Sequence, residues 1–249
     1  MQPTVVITGA SAGIGRALAF EFARRGYNLG LTARRLSVLE NLREELRSSL
    51  PDYSGKLELA ALDVDQTATV EPVLAALFDR LDGVDIVVVN AGINGFSKVG
   101  KGDLAQELAI LQTNLSGAIA TTNAAAAHFI PRGAGRIVGI SSLASLQGMP
   151  KQAAYCASKA GISMYLDAAR IELKAHNIQV TQILPGFVIT DIVPNIKKYP
   201  FAVSAEQAAR EMVNLIEKGK AFGVVPAWPW QWLRPFFGHF PDAIWKKLG

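Results

Sequence analysis

The chain has 249 residues, of which half are hydrophobic and 18% are charged. This composition supports a large buried core and excludes a globally disordered protein. The formal net charge is +4, but the basic residues form no stripe interleaved with aromatic side chains, so we expect no nucleic-acid binding. Tight basic clusters occur at Arg34-Arg35 and Lys197-Lys198. One of them is better suited to bind a phosphorylated small molecule than a nucleic acid.

The cysteine and histidine content argues against a metal centre. Cys156 is the only cysteine, which excludes an intrachain disulfide and a thiolate cluster, and the three histidines lie far apart in sequence. We therefore expect no metal site and a Cys156 that simply packs within a helix. The first apolar run is short and lacks a preceding cationic region, and no run of about 20 apolar residues follows it. These features predict a cytoplasmic protein.

Short β-branched runs alternate with longer helical patterns along the chain. The helical patterns cover 13–25, 37–49, 68–81, 103–130, 153–176 and 204–218, and capping boxes are predicted at Ser37 with Glu40 and at Ser204 with Gln207. The predicted strands are Thr4–Thr8, Asn28–Ala33, Leu57–Leu62, Asp85–Asn90, Arg136–Ile140, Gln179–Leu184 and a weaker one at Phe222–Pro226.

Several of these strands are apolar on consecutive positions, as in Ile86-Val87-Val88-Val89. Such strands are typical of a parallel sheet that is covered by helices on both faces. We predict a single α/β domain over residues 1–249, with a doubly wound parallel sheet of about seven strands. Ligands of such sheets bind beyond the carboxyl ends of the strands.

A glycine-rich turn follows the first predicted strand, in Thr8-Gly9-Ala10-Ser11-Ala12-Gly13-Ile14-Gly15. Glycines at positions 9, 13 and 15 remove the Cβ atoms that would keep the backbone away from a pyrophosphate. The helix that begins near Gly13 then directs its free N–H groups and its positive dipole end at that charge. At the first strand–helix junction this turn predicts a dinucleotide site.

The TGxxxGxG spacing of this turn resembles that of the short-chain dehydrogenase/reductase family, whose fold is Rossmann-like. Three further segments resemble the family: Asp63-Val64 after the third strand, Asn90-Ala91-Gly92 after the fourth, and Pro185-Gly186 with Thr190 after the sixth. The resemblance extends from about residue 4 to residue 191. It implies a cofactor site made of Gly9, Ser11, Gly13, Ile14, Gly15, Asp63, Val64, Asn90, Ala91, Gly92, Tyr155, Lys159, Pro185, Gly186 and Thr190.

Charge at the end of the second strand predicts which cofactor is used. Enzymes that use NAD carry a carboxylate there, which binds the ribose hydroxyls and would repel a 2′-phosphate. This chain has Ala33 at that position, followed by Arg34 and Arg35, whose guanidinium groups can bind a phosphate. We predict NADP(H), although the turn residues Ser11 and Ala12 are neutral where many NADP-dependent relatives have a basic residue.

A catalytic set is predicted from spacing and from the same resemblance. Tyr155 and Lys159 lie one helical turn apart, so the ammonium is expected to lower the tyrosine pKa towards neutral pH. Ser142 lies 13 residues before Tyr155, the family spacing, and can hold the substrate oxygen, whereas Ser141 is the neighbour that could be mistaken for it. Asn114 resembles the family asparagine that bends its helix and anchors a water on the Lys159 side.

The resemblance implies direct hydride transfer between the cofactor and a carbonyl or alcohol, with Tyr155 as general acid or base. The alternative is a noncatalytic NADPH sensor or scaffold on the same fold. Such a protein would be expected to lack the tyrosine or the lysine, and both Tyr155 and Lys159 are present. We expect a homodimer or homotetramer that pairs the alanine- and leucine-rich helices at 103–130 and 153–176. An apolar carbonyl substrate is predicted from Ile93, Phe96, Leu143, Met149, Phe187, Ile192 and Val193.

The family resemblance fades in an aromatic-rich C-terminal extension, residues 227–249. This extension contains all four tryptophans, three phenylalanines and basic residues between them, while Pro229, Pro235 and Pro241 break any long helix. Three interpretations remain open at this point. The extension packs over the substrate pocket or a neighbouring subunit, makes peripheral membrane contact, or is disordered.

Overall fold

The computed structural model describes residues 2–190 and 199–239 of the chain. Its strands are β1 (Thr4–Thr8), β2 (Asn28–Ala33), β3 (Leu57–Ala61), β4 (Ile86–Val89), β5 (Gly135–Ile140), β6 (Ile178–Pro185), β7 (Val188–Ile189), β8 (Val203–Ser204) and β9 (Phe222–Val225). Its α-helices are α1 (Gly13–Arg24), α2 (Leu36–Ser49), α3 (Thr67–Arg80), α4 (Leu104–Leu111), α5 (Gly117–Phe129), α6 (Ala153–Glu172), α7 (Ala205–Glu217) and α8 (Trp230–Leu233).

Seven of the strands form one sheet in the order β3-β2-β1-β4-β5-β6-β9, and every neighbouring pair is parallel. Chain progression reverses between β1 and β4, so the sheet has the switch point at which doubly wound folds bind ligands. The predicted doubly wound parallel sheet is confirmed. The two-residue strands β7 and β8 pair with each other outside this sheet and were not predicted.

Each face of the sheet supports its own hydrophobic core, because successive strand residues point to opposite faces. In β1, Val5 and Ile7 pack into the core that α1, α2 and α7 cover. Val6, between them, packs into the second core, which α3, α5 and α6 cover. The consecutive apolar residues of the strands are thus used on both faces, as predicted.

The segment predicted as one helix over 103–130 is divided in the structure. α4 ends at Leu111, residues Gln112–Ser116 form a π-helical turn, and α5 begins at Gly117. A π turn adds a residue to the helical repeat and so changes which side chains face the sheet. Within it Thr113 and Asn114 are buried. The helix predicted over 153–176 likewise ends at Glu172 and continues as a 3₁₀ turn.

One of the two predicted caps is present. Ser204 caps α7 by accepting a hydrogen bond from the backbone N–H of Gln207, at 3.2 Å. The cap predicted at Ser37 is wrong, because α2 begins at Leu36 and Ser37 already lies within its first turn. None of the described helices is both long and apolar enough to cross a membrane.

Candidate active site

A cavity of about 550 Å³ opens at the carboxyl ends of the central strands. Its walls come from the turns after β1, β2, β3 and β4, the end of β5, one side of α6 and the segment after β6. Most of the predicted site residues line it, namely Gly9, Ser11, Ile14, Gly15, Arg34, Arg35, Asp63, Val64, Asn90, Ala91, Gly92, Ser142, Tyr155, Lys159, Pro185, Gly186 and Thr190. Gly13 and Asn114 do not line the cavity.

The glycine turn is shaped by close contact with the end of β4. Gly9 has a φ of +66°, and a Cβ on it would lie 2.7 Å from the Cα of Ala91. A Cβ on Gly15 would lie 2.3 Å from the carbonyl oxygen of Gly9 and 2.5 Å from the side-chain nitrogen of Asn90. Both positions therefore require glycine for packing within the protein. Gly13 adopts a φ of +54°, which also favours glycine and lets α1 begin there.

Asn90 and Thr8 join the glycine turn to β4. The Asn90 amide nitrogen donates to the carbonyl oxygens of Thr8, at 2.9 Å, and Gly9, at 3.2 Å. The Thr8 hydroxyl donates to the Val88 carbonyl and accepts from the backbone N–H groups of Asn90 and Ala91. The side chain of Asn90 therefore holds the shape of the turn. This positioning role is additional to the cofactor contact predicted for it.

The two arginines after β2 reach the cavity without a competing partner. Arg34 and Arg35 are exposed, and within residues 2–190 and 199–239 neither side chain makes a hydrogen bond or an ion pair. Ala33 is buried at the end of β2, so no carboxylate occupies that position. Both guanidinium groups are consequently available to an anion in the cavity. The other basic cluster, Lys197-Lys198, lies outside the described residues.

The carboxylates after β3 are ordered by local hydrogen bonds. Asp63 accepts from the backbone N–H of Asp65 at 3.2 Å, and Asp65 accepts from the Thr113 hydroxyl at 2.7 Å. Asp65 and Thr113 also line the cavity, although the sequence analysis did not single them out. Asp65 could have been identified from the sequence, because it is a second carboxylate only two residues after Asp63 at the same strand end.

The two serines at the end of β5 have different environments. Ser141 is buried, donates to the Lys159 carbonyl at 3.0 Å and pairs with the Ser163 hydroxyl at 2.6 Å. Ser142 lines the cavity, and its hydroxyl is close enough to Tyr155 to lower the pKa of the phenol. The Ser142 oxygen also accepts from the backbone N–H of Ala144. Ser141 is thus bound into the structure, and Ser142 is the serine beside the tyrosine.

Lys159 is buried on α6 one turn after Tyr155. Its ammonium nitrogen donates to the Ile140 carbonyl at 3.0 Å and lies 5.8 Å from the centre of the Tyr155 ring. Burial lowers the pKa of Lys159 to about 8, because the charged form is desolvated. One of its three protons is used by Ile140, which leaves two donors for a ligand.

The expected lowering of the Tyr155 pKa is wrong for the protein without ligand. Burial raises the pKa of Tyr155 above its usual value, and the hydrogen bond from Ser142 opposes that shift. The Lys159 ammonium group donates its hydrogen bond to the Ile140 carbonyl instead. The tyrosine is therefore a protonated phenol at neutral pH in this state.

Asn114 lies in the π-helical turn and holds the loop after β4. Its amide oxygen accepts from the backbone N–H of Ile93 at 2.8 Å, and its amide nitrogen donates to the Ile93 carbonyl at 2.9 Å. The same nitrogen donates to the Ser158 hydroxyl, on α6. Asn114 thus connects the loop after β4 to the helix that carries Tyr155 and Lys159. It acts on the site by positioning these elements.

Part of the C-terminal extension forms a wall of the cavity. Trp230, Leu233 and Phe237 line it beside Phe187 and Tyr199. The Trp230 ring packs so close to Gly186 that a Cβ there would lie 2.7 Å from its Nε1 atom. Residues 227–239 therefore pack over the pocket, which is the first of the three interpretations of the extension and rules out disorder for this part. Residues 240–249 lie outside the described chain.

The apolar residues predicted to face the substrate divide into three groups. Ile93, Leu143, Met149 and Phe187 line the cavity, whereas Phe96 is exposed and does not. Ile192 and Val193 lie outside the described residues. Gln147 and Tyr199 also line the cavity and lie within the segments 143–149 and 187–203 that the sequence predicts to face the nicotinamide, whereas Gln152 was missed, since nothing in its spacing indicates that it reaches the cavity.

Comparison with known proteins agrees with this geometry. The family model described as short chain dehydrogenase matches residues 3–200. An uncharacterized oxidoreductase of Mycobacterium tuberculosis is 37% identical over 245 residues, which cover 98% of this chain and 96% of the relative.

Two solved structures illustrate the similarity of the fold. An alcohol dehydrogenase from the archaeon Thermococcus sibiricus, complexed with 5-hydroxy-NADP, is 26% identical, with a TM-score of 0.79 over 90% of this chain and 95% of that one. A short-chain dehydrogenase/reductase from Burkholderia phymatum, in complex with NAD, shares the fold with a TM-score of 0.82 at 19% identity, over 91% and 89% of the two chains. The chain therefore belongs to the short-chain dehydrogenase/reductase family, whose members are oxidoreductases that bind a nicotinamide cofactor.

Proposed function

We propose that this protein is an NADPH-dependent carbonyl reductase, or alcohol dehydrogenase in reverse, for an apolar ketone, aldehyde or secondary alcohol. The observation that carries the proposal is that Ser142, Tyr155 and buried Lys159 line one cavity, with the Ser142 hydroxyl close enough to Tyr155 to affect the pKa of its phenol. Two hydroxyls that converge on one point can hold a carbonyl oxygen and protonate it. A noncatalytic sensor would have no need of this arrangement.

The residues around the cavity fit a nicotinamide dinucleotide. No side chain caps the first turn of α1, so its backbone N–H groups are left for the pyrophosphate. Asp63 and Val64 would lie along the adenine, and Asn90, Ala91 and Gly92 along the ribose. Lys159 would hold the nicotinamide ribose with its two remaining N–H donors, beside Pro185, Gly186 and Thr190.

The choice of NADPH is supported by Arg34 and Arg35. Both border the cavity, neither has a partner among the described residues, and the preceding position is Ala33 instead of an acid. A guanidinium group binds a phosphate with two parallel hydrogen bonds, which is stronger than a neutral contact. We assign the 2′-phosphate contact to Arg34 first and to Arg35 second.

The cofactor, when bound, supplies the hydride that reduces the carbonyl carbon. Ser142 holds the substrate oxygen by a hydrogen bond, and Tyr155 gives its phenolic proton to the same oxygen as negative charge develops there. Burial keeps Tyr155 protonated at neutral pH, which suits a general acid in the reductive direction. Protonated Lys159 stabilises the phenolate that remains after the proton has left.

The substrate end of the cavity supports an apolar substrate. Its wall is formed by five side chains that all belong to one hydrophobic cluster with Leu184: Leu143, Phe187, Trp230, Leu233 and Phe237. A wall of this kind binds hydrocarbon or aromatic groups by excluding water.

A homo-oligomer is also part of the proposal. Leu104 and Leu108 on α4 and Met164 and Ile171 on α6 are large apolar side chains exposed to solvent. Exposed apolar side chains on two neighbouring helices favour burial against a second copy.

Activity is tested by following NADPH oxidation with a series of aldehydes and ketones of increasing chain length. The wild-type protein should reduce the longer members, and Tyr155→Phe should lower turnover about 10²- to 10⁴-fold because only the proton donor is lost. Wild-type turnover in Tyr155→Phe, or no turnover in the wild type with any carbonyl compound, would contradict the mechanism.

Cofactor choice is tested by titrating the protein with NADPH and with NADH at equal salt. Arg34→Ala should weaken NADPH about 10- to 100-fold and leave NADH nearly unchanged, because one charge-assisted contact is lost. Arg47→Ala is the matched control, since it removes an exposed arginine in the last turn of α2, the helix that follows Arg34 and Arg35. Equal affinities of the wild type for both cofactors would sink this assignment.

A further inference from the structure

The segment of residues 227–239, called the aromatic arm below, carries large apolar side chains on two opposite sides. Trp230, Leu233 and Phe237 are spaced by three and four residues and face the cavity. Trp228, Trp232 and Phe236 are spaced by four residues, are exposed and do not line the cavity; Trp232 lies in α8, Trp228 before it and Phe236 in the turn after it. A surface helix normally carries polar residues on its outer side. The aromatic arm instead has apolar side chains on both sides.

The outward side of the aromatic arm is exposed to an unusual degree. Trp228 is 67% exposed, Trp232 73% and Phe236 57%. Phe201, also exposed, extends this surface by stacking edge-on against Trp228, with ring centres 5.2 Å apart. Phe201 adopts a φ of +59°, a strained conformation for a bulky side chain. The surface formed by Phe201, Trp228, Trp232 and Phe236 is called the outer aromatic face.

The outer aromatic face is continuous with the wall of the cavity. Phe201 contacts Trp230 as well as Trp228, at 5.9 Å between ring centres. Trp230 in turn contacts Phe187 and Phe237, both of which line the cavity. A chain of touching rings thus runs from the exposed surface into the apolar end of the site.

The charge of this region is one-sided. Residues 199–203 and 227–239 contain no aspartate or glutamate, whereas Arg234 and His239 lie among the aromatic residues. The Glu211 carboxylate, which approaches the start of the arm, accepts a hydrogen bond from the backbone N–H of Ala227. Arg234 is exposed, and its guanidinium group lies over the Phe222 ring, 4.0 Å from the ring centre.

From this arrangement we propose that the outer aromatic face docks onto the interface of an anionic lipid membrane. Tryptophan is the side chain best suited to that depth, because its ring enters the acyl boundary while its N–H reaches the headgroups. The absence of carboxylates avoids repulsion from anionic lipid, and the cationic side chains add attraction. Docking in this orientation places the apolar end of the cavity against the membrane.

A second copy of this chain is the competing occupant, since tryptophan and arginine also occur in protein interfaces. The one-sided charge favours the membrane, because a two-fold contact would place Arg234 of both copies near the same surface without an acid from either arm. Delivery of an apolar substrate from the lipid rests on the proposed function. Docking itself does not, and it is measured without cofactor or substrate.

The test uses the full chain and sonicated vesicles of equimolar phosphatidylcholine and phosphatidylglycerol. The wild type should sediment with the vesicles, and its tryptophan emission should shift to shorter wavelength. The double variant Trp228→Gln with Trp232→Gln should lower the vesicle partition coefficient at least about ten-fold, since two rings that are buried in the interface are lost. Val99→Gln is the control, because Val99 is 79% exposed and remote from the aromatic arm in sequence.

Folding of each variant is checked by its melting temperature, and oligomer mass by light scattering. Sedimentation of the wild type and of Val99→Gln, with loss in the double variant at unchanged mass, supports the proposal. Failure of the wild type to sediment, or equal sedimentation of the double variant, overturns it. If the wild type does not bind vesicles and the double variant has a lower oligomer mass than the wild type, the outer aromatic face is assigned to contact with a second copy instead. Failure of vesicle binding leaves NADPH oxidation unaffected, so the two proposals are judged separately.

Discussion

Replacement of Lys159 by methionine should change how the stability of the ligand-free protein depends on pH. Burial lowers the pKa of Lys159 to about 8, against 10.5 for a lysine in the unfolded chain. Between these two pH values the unfolded state binds more protons than the folded state. Stability therefore rises with pH in this window, and the penalty for burying the charge is present in full below pH 8.

The size of the effect follows from the same two pKa values. Raising the pH from 7 to 10 should increase the free energy of unfolding by about 2.5 kcal/mol through Lys159 alone. Methionine has a similar length and no charge, so Lys159→Met should lack this contribution. The variant should also be the more stable protein at pH 7, by somewhat less than this amount, because it loses the hydrogen bond to Ile140.

The assay is urea unfolding of both proteins without cofactor, at intervals from pH 7 to pH 10. Burial raises the pKa of Cys156 and Tyr155, and both groups oppose the rise in stability at the upper end of the range. Both groups are present in the two proteins, so the difference between the two curves isolates Lys159. Curves that run parallel from pH 7 to pH 10 would refute the reasoning and show that the ammonium is solvated.

Three further predictions concern the site and the assembly. Gly186→Ala should destabilise the protein by about 1–3 kcal/mol and lower its activity, because the new Cβ would lie 2.7 Å from Nε1 of Trp230. Thermal melts measure this loss, and adding Trp230→Leu to the Gly186→Ala variant should restore stability. Asn90→Ala should weaken the binding of NADPH and NADH alike, since it loosens the glycine turn on which either cofactor would lie. Titration with each cofactor measures this, and weaker binding of only one of the two cofactors would contradict it. Light scattering should give a mass above 26.7 kDa at micromolar concentration, and a monomer would exclude the proposed oligomer.

The doubly wound parallel sheet and the cofactor turn were predictable from local features. Apolar β-branched runs separated by helical patterns leave a parallel doubly wound sheet as the way to cover both faces of every strand. Gly9 and Gly13 adopt positive φ angles that other residues adopt only under strain, and Gly15 leaves room for the Gly9 carbonyl oxygen and the Asn90 side chain. The spacing of one helical turn predicted that Tyr155 and Lys159 would lie together, and the resemblance to the family implied that Ser142 would join them.

The π-helical turn at Gln112–Ser116 and the distinction between Ser141 and Ser142 were decided by tertiary contacts. Asn114 takes its place because both polar ends of its side chain bind Ile93, 21 residues away in sequence. Ser141 differs from Ser142 only through its contacts with Lys159 and Ser163 on another element. Before the fold was known, Asn114 and Ser142 could be singled out only through the resemblance to the family, since an asparagine in a helix or a pair of serines after a strand is compatible with several arrangements.

The sequence by itself determined the fold, the position of the cofactor turn and the residues at the centre of the site, because these depend on periodicity and on short-range spacing. Only the tertiary structure decided that the aromatic arm closes the substrate end of the cavity, with Trp230 against Gly186. It also decided that burial, and not the neighbouring charge, sets the pKa of Tyr155 and Lys159 in the ligand-free protein. Burial and long-range packing are properties of the folded chain as a whole, and no local pattern of residues encodes them.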